Sequence, residues 1–271
     1  MVATNDVYFE FMDSNEKFNL FLIGDIHVGN LGCDLKLLKK VLKSIKETEN
    51  SYILGMGDYC ECITPKDKRY DIHTQDRKIL TPKEQYDKII DLFSPFKGQI
   101  IGLLEGNHEA SLDKYNSHRI TEELAKDLDT VNLGYSAFTD LHFKKIDENG
   151  KRLKTTMYTI YATHGTGSGR FKGAKVNRLE QLAQWNESDM YFGAHTHELI
   201  TWHDIRNKKR GKRKVEDIRI YGITGSFLTG YEKGVTSYVE RTQRKPAFKG
   251  CLKVEIVPYK RKINSSIFRG D

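Results

Sequence analysis

Cysteine is scarce in this chain of 271 residues: Cys33, Cys60, Cys62 and Cys251, with one close pair spaced C-x-C. That spacing builds neither a disulfide framework nor a zinc ribbon, so reduced thiols in a cytoplasmic protein are expected. Long apolar runs are missing as well. No stretch approaches the roughly 18 consecutive apolar residues of a membrane-spanning helix, so no membrane partner is expected. The first 17 residues carry Asp6, Glu10, Asp13 and Glu16 and lack a basic segment followed by an apolar run, which is not the pattern of a secretory signal. Internal repeats, low-complexity tracts and Pro/Gly-rich linkers are also absent. The expectation is a single domain over residues 1–271.

One sign of charge is missing from one place. Residues 205–214 hold Arg206, Lys208, Lys209, Arg210, Lys212, Arg213 and Lys214 and no acid, while the whole chain carries a formal charge of +7. The window accounts for all of that excess, so the positive charge is local. A solvated face is the usual meaning of such a run, and a grip on phosphates is the other.

What is present alternates. Apolar runs at residues 19–24, 51–57 and 99–106 read as strands, and three-and-four spacing at residues 34–48, 82–93 and 118–128 reads as helices. Asp34 is placed to cap the first helix and Pro82 to open the second. This rhythm predicts a largely parallel sheet with helices on its faces. Later, residues 136–146 and 154–163 flank an Asn149-Gly150 turn and predict a hairpin. A helix is expected over 174–185, strands over 190–194 and 251–257, and a long hairpin over about 198–224 with the basic window at its tip. The fold class is α/β, with two mixed sheets packed as a sandwich and flanked by helices.

Five segments supply metal-ligand chemistry, mostly where a predicted strand ends: Gly24-Asp25-Ile26-His27, Gly57-Asp58, Gly106-Asn107-His108-Glu109, Thr163-His164-Gly165 and Gly193-Ala194-His195-Thr196-His197. In open α/β sheets ligands collect beyond the carboxyl ends of strands. The pairs Asp25/His27 and His195/His197 would project to one side of an extended segment. A single zinc takes about four protein ligands. Asp25, His27, Asp58, Asn107, His164, His195 and His197 are too many for one ion and suit two, with a carboxylate shared. Oxygen and nitrogen donors without thiolate suit divalent Mn²⁺ first, with Fe, Zn²⁺ or Ni²⁺ as alternatives.

The five blocks, in this order, resemble the calcineurin-like metallophosphoesterase superfamily, whose pattern reads D-x-H, G-D, G-N-H-[DE], H, then G-H-x-H. The resemblance implies that Asp25, His27, Asp58 and His197 hold one ion. It implies that Asp58, Asn107, His164 and His195 hold the other, and that His108 is a non-ligand acid at the leaving oxygen. Hydrolysis by attack of a metal-activated hydroxide is the implied chemistry. Ala194 departs from the pattern by standing between glycine and the first histidine, and a local backbone shift is expected there.

Protein phosphatases of the superfamily carry arginines beside the G-D and G-N-H-E blocks. Here those places hold no arginine, and Glu105 precedes Gly106. The closing H-x-H is similar to the phosphodiesterase and nuclease branches, including the SbcD-type DNA-repair nucleases. The function expected is therefore hydrolysis of phosphodiesters in nucleic acid. Arg170 and Lys172, on a glycine-rich loop, and Lys208, Lys209, Arg210, Lys212, Arg213 and Lys214 are the candidate substrate contacts. A small-molecule phosphomonoesterase or cyclic-nucleotide phosphodiesterase is the alternative within the enzyme class. A non-catalytic nucleic-acid-binding subunit is the alternative outside it.

Overall fold

The computed structural model describes residues 2–167, 169–231, 237–241, 243 and 245–270, with the backbone alone at Arg210 and Tyr238. In chain order it holds β1 (Ala3–Phe11), β2 (Phe18–Ile23), α1 (Leu35–Glu47), β3 (Ser51–Gly55), α2 (Pro82–Phe93), β4 (Ile100–Leu103), α3 (Asn107–Asn116) and α4 (Ile120–Asp127). Then follow β5 (Ser136–Ile146), β6 (Arg152–Thr163), α5 (Lys172–Trp185), β7 (Met190–Gly193), β8 (Leu199–Arg210), β9 (Arg213–Thr224), α6 (Tyr238–Arg241), β10 (Cys251–Val257) and β11 (Lys262–Phe268).

Local chemistry sets the helix ends. The Asp34 carboxylate accepts from the Leu37 amide at the head of α1. Thr81 and Glu84 form a reciprocal capping box on α2, with Pro82 in its first turn. At the Asn149-Gly150 turn between β5 and β6, Gly150 takes φ +75°, a region open to glycine without strain.

Two sheets result. One orders β11-β10-β2-β3-β4, with β2, β3 and β4 parallel and β10 and β11 antiparallel additions. The other orders β1-β5-β6-β7-β9-β8 and is mixed. Leu20, Leu22, Leu54 and Val254 of the first sheet meet Leu141, Ile160, Phe192 and Ile220 of the second in one buried cluster between the layers. A second cluster lies under α1, α2 and α4, and a smaller one lies under α5. The layers are thus helix, sheet, sheet, helix, the mixed α/β sandwich expected. No helix among the described residues is long and apolar enough to cross a membrane.

Some elements were not foreseen. β1 pairs parallel to β5, and its residues alternate regularly between a half-buried or buried face and an exposed face that carries Asp6 and Glu10. β11 is an edge strand of mostly polar residues. α3 begins on Asn107 itself and has a weakly apolar face, so it carries no strong periodic signal.

Candidate metal centre

All seven expected ligand positions lie at one end of the sandwich. Asp25 and His27 follow β2, Asp58 follows β3, Asn107 opens α3, His164 follows β6, and His195 and His197 follow β7. The D-x-H and G-D loops are stitched together, because the amides of Ile26 and His27 both donate to the Asp58 carbonyl, at 2.8 and 3.0 Å. The segments are not extended, which corrects the alternation argument for Asp25/His27 and His195/His197. Asp25, His27, Asp58, His195 and His197 have φ of +47, +56, +52, +63 and +55°, all in the left-handed region. That conformation costs a non-glycine residue on the order of 1–3 kcal/mol. A Cβ on Gly106 would sit 2.1 Å from Asp58 N and Oδ1, so only glycine lets the α3 loop approach this closely. Ala194 is buried, and its amide donates to the His164 carbonyl at 3.2 Å. The insertion is absorbed there, and both following histidines still reach the cluster.

Ligand atoms gather in groups within 4.8 Å of one another: Asp25, His27 and His197; Asp58, His164 and His195; and His27, Asp58 and His108. His197 Nε2 lies 3.2 Å from Asp25 Oδ1 and 3.2 Å from His27 Nε2. His164 Nε2 lies 3.2 Å from Asp58 Oδ2, and His27 Nε2 lies 3.8 Å from that same oxygen. Asp58 therefore faces both sides. His164 Nδ1 is hydrogen-bonded to the Met56 carbonyl at 2.8 Å, which turns Nε2 to the cluster in the tautomer a ligand needs.

The residues fit cations. Asp25 Oδ1 is buried and forms no well-aligned hydrogen bond, with only the His197 ring nitrogen beside it at 3.2 Å, an arrangement costly unless a cation satisfies it. One end of the Asn107 carboxamide faces His164 Nε2 at 3.2 Å and His195 Nδ1 at 2.6 Å. Its other end faces Arg69 Nη1 at 3.0 Å. Without an ion the NH₂ end suits the histidine side and the carbonyl accepts from Arg69. A cation among Asp58, His164 and His195 calls for the carbonyl oxygen instead.

Charges in the cluster point the same way. Burial opposes ionisation of Asp58, yet His164 and His108 hold its carboxyl well below the usual range. Burial also opposes charge on His164, but Asp58 and Asp25 push it up to about 10. His195, by contrast, is driven down to about 4 by burial and by His164. The carboxylates thus draw positive charge into their midst, and a divalent ion supplies it without a proton.

Two supports carried no signal strong enough to be assigned from sequence. Buried Glu61 places Oε2 3.2 Å from His27 Nδ1, and its carbonyl lies 2.6 Å from His108 Nδ1. Buried Glu109 accepts from the amides of Asp58, Cys60 and Gly106 at 3.0, 3.0 and 3.1 Å. Burial and Asp58 push its carboxyl up to about 7.

A cavity of about 680 Å³ opens over the centre, lined by His27, Asp58, Asn107, His108, His195 and His197 and by Arg69, Arg170, Lys175, Arg241 and Lys245. Arg69 is held by Asp67 through Nη2 at 2.8 Å and Nε at 3.2 Å, and Asp67 also accepts from Ser111 Oγ. A guanidinium therefore stands beside Asn107 although the family's arginine places are empty. Glu105 does not line the cavity; its charged neighbours are Asp113, Glu122 and Arg119. An acid at this position therefore does not face a substrate phosphate.

Of the other expected contacts, Arg170 lines the cavity and Lys172 does not; Lys172 pairs with Glu198 at 3.4 Å. None of Lys208, Lys209, Lys212, Arg213 and Lys214 lines it, and the side chain of Arg210 lies outside the described residues. The strands run through the basic window to a two-residue turn at Gly211, which takes φ +59°. Leu199 and Thr224 pair at the site end. Lys208 therefore lies about 30 Å along the strand from the centre. The hairpin is rooted at the site, but its charge is not.

Among solved structures, the chain is similar to a predicted phosphoesterase from Streptococcus pneumoniae at 14% identity, covering 93% of this chain and 98% of that one with a TM-score of 0.36. It is also similar to a Vps29 double mutant from Entamoeba histolytica at 14% identity, covering 93% and 99% with a TM-score of 0.41. The NAD nucleotidase of Haemophilus influenzae matches at 12% identity, covering 94% of this chain and 49% of that one with a TM-score of 0.37. No curated protein matches. The calcineurin-like phosphoesterase family model matches residues 18–222, a span that takes in every block of the metal centre, and the chain belongs to that family.

Proposed function

We propose that the protein is a divalent-metal-dependent phosphoesterase that hydrolyses phosphodiester bonds, with nucleic acid as its substrate and Mn²⁺ as its preferred ion. The observation that carries this reading is Asp58 standing between two ligand groups with His108 beside it, under a cavity large enough for a nucleotide-sized group. Asp25, His27, Asp58 and His197 would hold one ion, and Asp58, Asn107, His164 and His195 the other. When bound, the ions lower the pKa of a water and polarise a phosphoryl oxygen.

The chain's own residues do the rest. The His108 amide donates to Asp58 Oδ1 at 2.9 Å and its Nδ1 is engaged by the Glu61 carbonyl, which leaves Nε2 to give a proton to the departing oxygen. Arg69, locked on Asp67, balances charge on a phosphoryl oxygen without needing to reorganise.

The test is hydrolysis of bis-p-nitrophenyl phosphate and p-nitrophenyl phosphate by protein reconstituted separately with Mn²⁺, Fe²⁺, Zn²⁺ and Ni²⁺. A diester preference, greatest with Mn²⁺ and lost in His108→Ala, is expected, followed by cleavage of labelled DNA or RNA strands. A monoester preference would move the substrate to small phosphomonoesters, a reading that Arg69 beside Asn107 favours. Silence on both substrates with ions bound would leave a metal-stabilised, non-catalytic subunit.

A further inference from the structure

Three lysines converge on one carboxylate at the lip of the metal centre. Glu198, next in sequence to His197, has Oε1 2.8 Å from Lys245 Nζ and 3.4 Å from Lys172 Nζ, and Oε2 3.0 Å from Lys175 Nζ. Lys175 Nζ also donates to the Thr196 carbonyl at 3.1 Å. The side chains of Glu198 and Lys175 are each 9% exposed, whereas Lys172 and Lys245 are half exposed. The lysines come from α5 and from the segment before β10, so no single stretch of sequence marks the cluster.

One carboxylate neutralises one ammonium. Three leave a surplus of positive charge in a partly buried place, where like charges repel more strongly than in water. Each ammonium carries three N–H donors, and Glu198 with the Thr196 carbonyl cannot engage them all. Lys175, Glu198 and Lys245 line the same cavity as His195 and His197. A cluster built only to pair Glu198 would need a single lysine. A surplus held beside the reaction centre and open to its cavity is the arrangement that receives an anion.

We infer that Lys175 and Lys245, on the cavity wall, form a second anion subsite, which takes a phosphate of the substrate other than the one at the metal centre, with Lys172 adding to its positive charge through Glu198. The inference rests on the phosphodiesterase reading above and narrows it. The substrate class is a phosphodiester with at least one further phosphate on the same molecule. The grip on that phosphate then belongs to this cluster rather than to the distant end of the β8–β9 hairpin.

The test uses the Mn²⁺-loaded full chain and three thymidine substrates: TpT with one phosphodiester, pTpT with an added terminal phosphate, and TpTpT with a flanking diester. Wild-type protein is expected to cleave one or both phosphate-bearing substrates at least about tenfold more efficiently than TpT, chiefly through KM, with a preference that weakens as salt rises. Preference for pTpT alone would assign the subsite to a terminal phosphate, and preference for TpTpT to a strand. In Lys175→Gln/Lys245→Gln the ratio should fall to near one. Lys245→Gln alone, at a half-exposed position, should lower it measurably if the double variant fails to fold, and Lys245→Arg should restore it. A wild-type ratio near one, or a ratio unchanged by these substitutions, overturns the subsite.

Inertness of the ion-loaded wild type on all three substrates would instead overturn the phosphodiesterase reading. Calorimetric titration with inorganic tripolyphosphate against orthophosphate then judges the subsite alone. Tighter tripolyphosphate binding that depends on Lys245 supports it, and binding indifferent to Lys245 removes it.

Discussion

The strand-end loops and the far end of the β8–β9 hairpin are both dense in polar residues, and they are built in opposite ways. At the loops, Asp25, His27, Asp58, His195 and His197 sit in left-handed backbone, and buried Asp25 Oδ1 forms no well-aligned hydrogen bond. At the hairpin the ladder is regular from Leu199–Thr224 to Arg210–Arg213, glycine takes the strained turn position, and Lys208 pairs with Asp217 at 2.6 Å. Strain and orphaned polarity persist only where something else compensates them. Lys208 is paired and Lys209, Lys212, Arg213 and Lys214 are exposed to solvent, so these charges ask for no ligand. Charge density alone does not mark a site; unsatisfied geometry does.

The comparison breaks most sharply at Asp58. Asp58→Asn removes the carboxylate common to both ligand groups, and loss of bound ion at both, with no detectable turnover, is expected by metal analysis and assay. His108→Ala should leave ion content intact while lowering kcat by about 10²–10⁴-fold, as for removal of a general acid. An equal loss of ions would make His108 a ligand instead.

Glu61→Gln should weaken ion affinity by about 10–100-fold, because it unseats the support behind His27; competition with a chelator measures this. Chelation of the loaded protein should lower Tm by about 5–10 °C if free ion stands near 100 times its Kd, read by calorimetry with and without EDTA. Last, replacing Lys208, Lys209, Lys212 and Lys214 with Gln should change stability by no more than about 0.5 kcal/mol at each position and leave hydrolysis of dinucleotides unaltered. A large loss on dinucleotides would show that the hairpin reaches the centre after all.

Local signals were legible because they act over a few residues: the Asp34 cap, the Pro82 start of α2, the Asn149-Gly150 turn and the glycine-flanked ligand blocks. The left-handed turns at the ligands were not, since an Asp or His in that region is held there by contacts with distant loops, as when the Ile26 and His27 amides bond to Asp58. Arg69 escaped because it reaches the centre from a segment with no regular pattern, fixed by Asp67 and Ser111. Glu105 escaped for a related reason: its direction depends on how α3 and α4 pack. The hairpin's reach required the strand register, and only pairing Leu199 with Thr224 shows that the charge lies at the opposite end.

The proposed ligands are also divided along the chain. Asp25, His27, Asp58 and Asn107 accompany the sheet of β2, β3 and β4, whereas His164, His195 and His197 accompany the sheet of β6 and β7. Domains emerge from the ribosome amino-terminus first. The carboxylates are therefore made long before the histidines that complete their groups, and neither group has all its members until residue 195 has left the exit tunnel. The proposed ligand sets would thus be completed late in the life of the chain, after the docking of one layer on the other. A protein truncated before His195 would keep its acidic loops and lose the means to fill them.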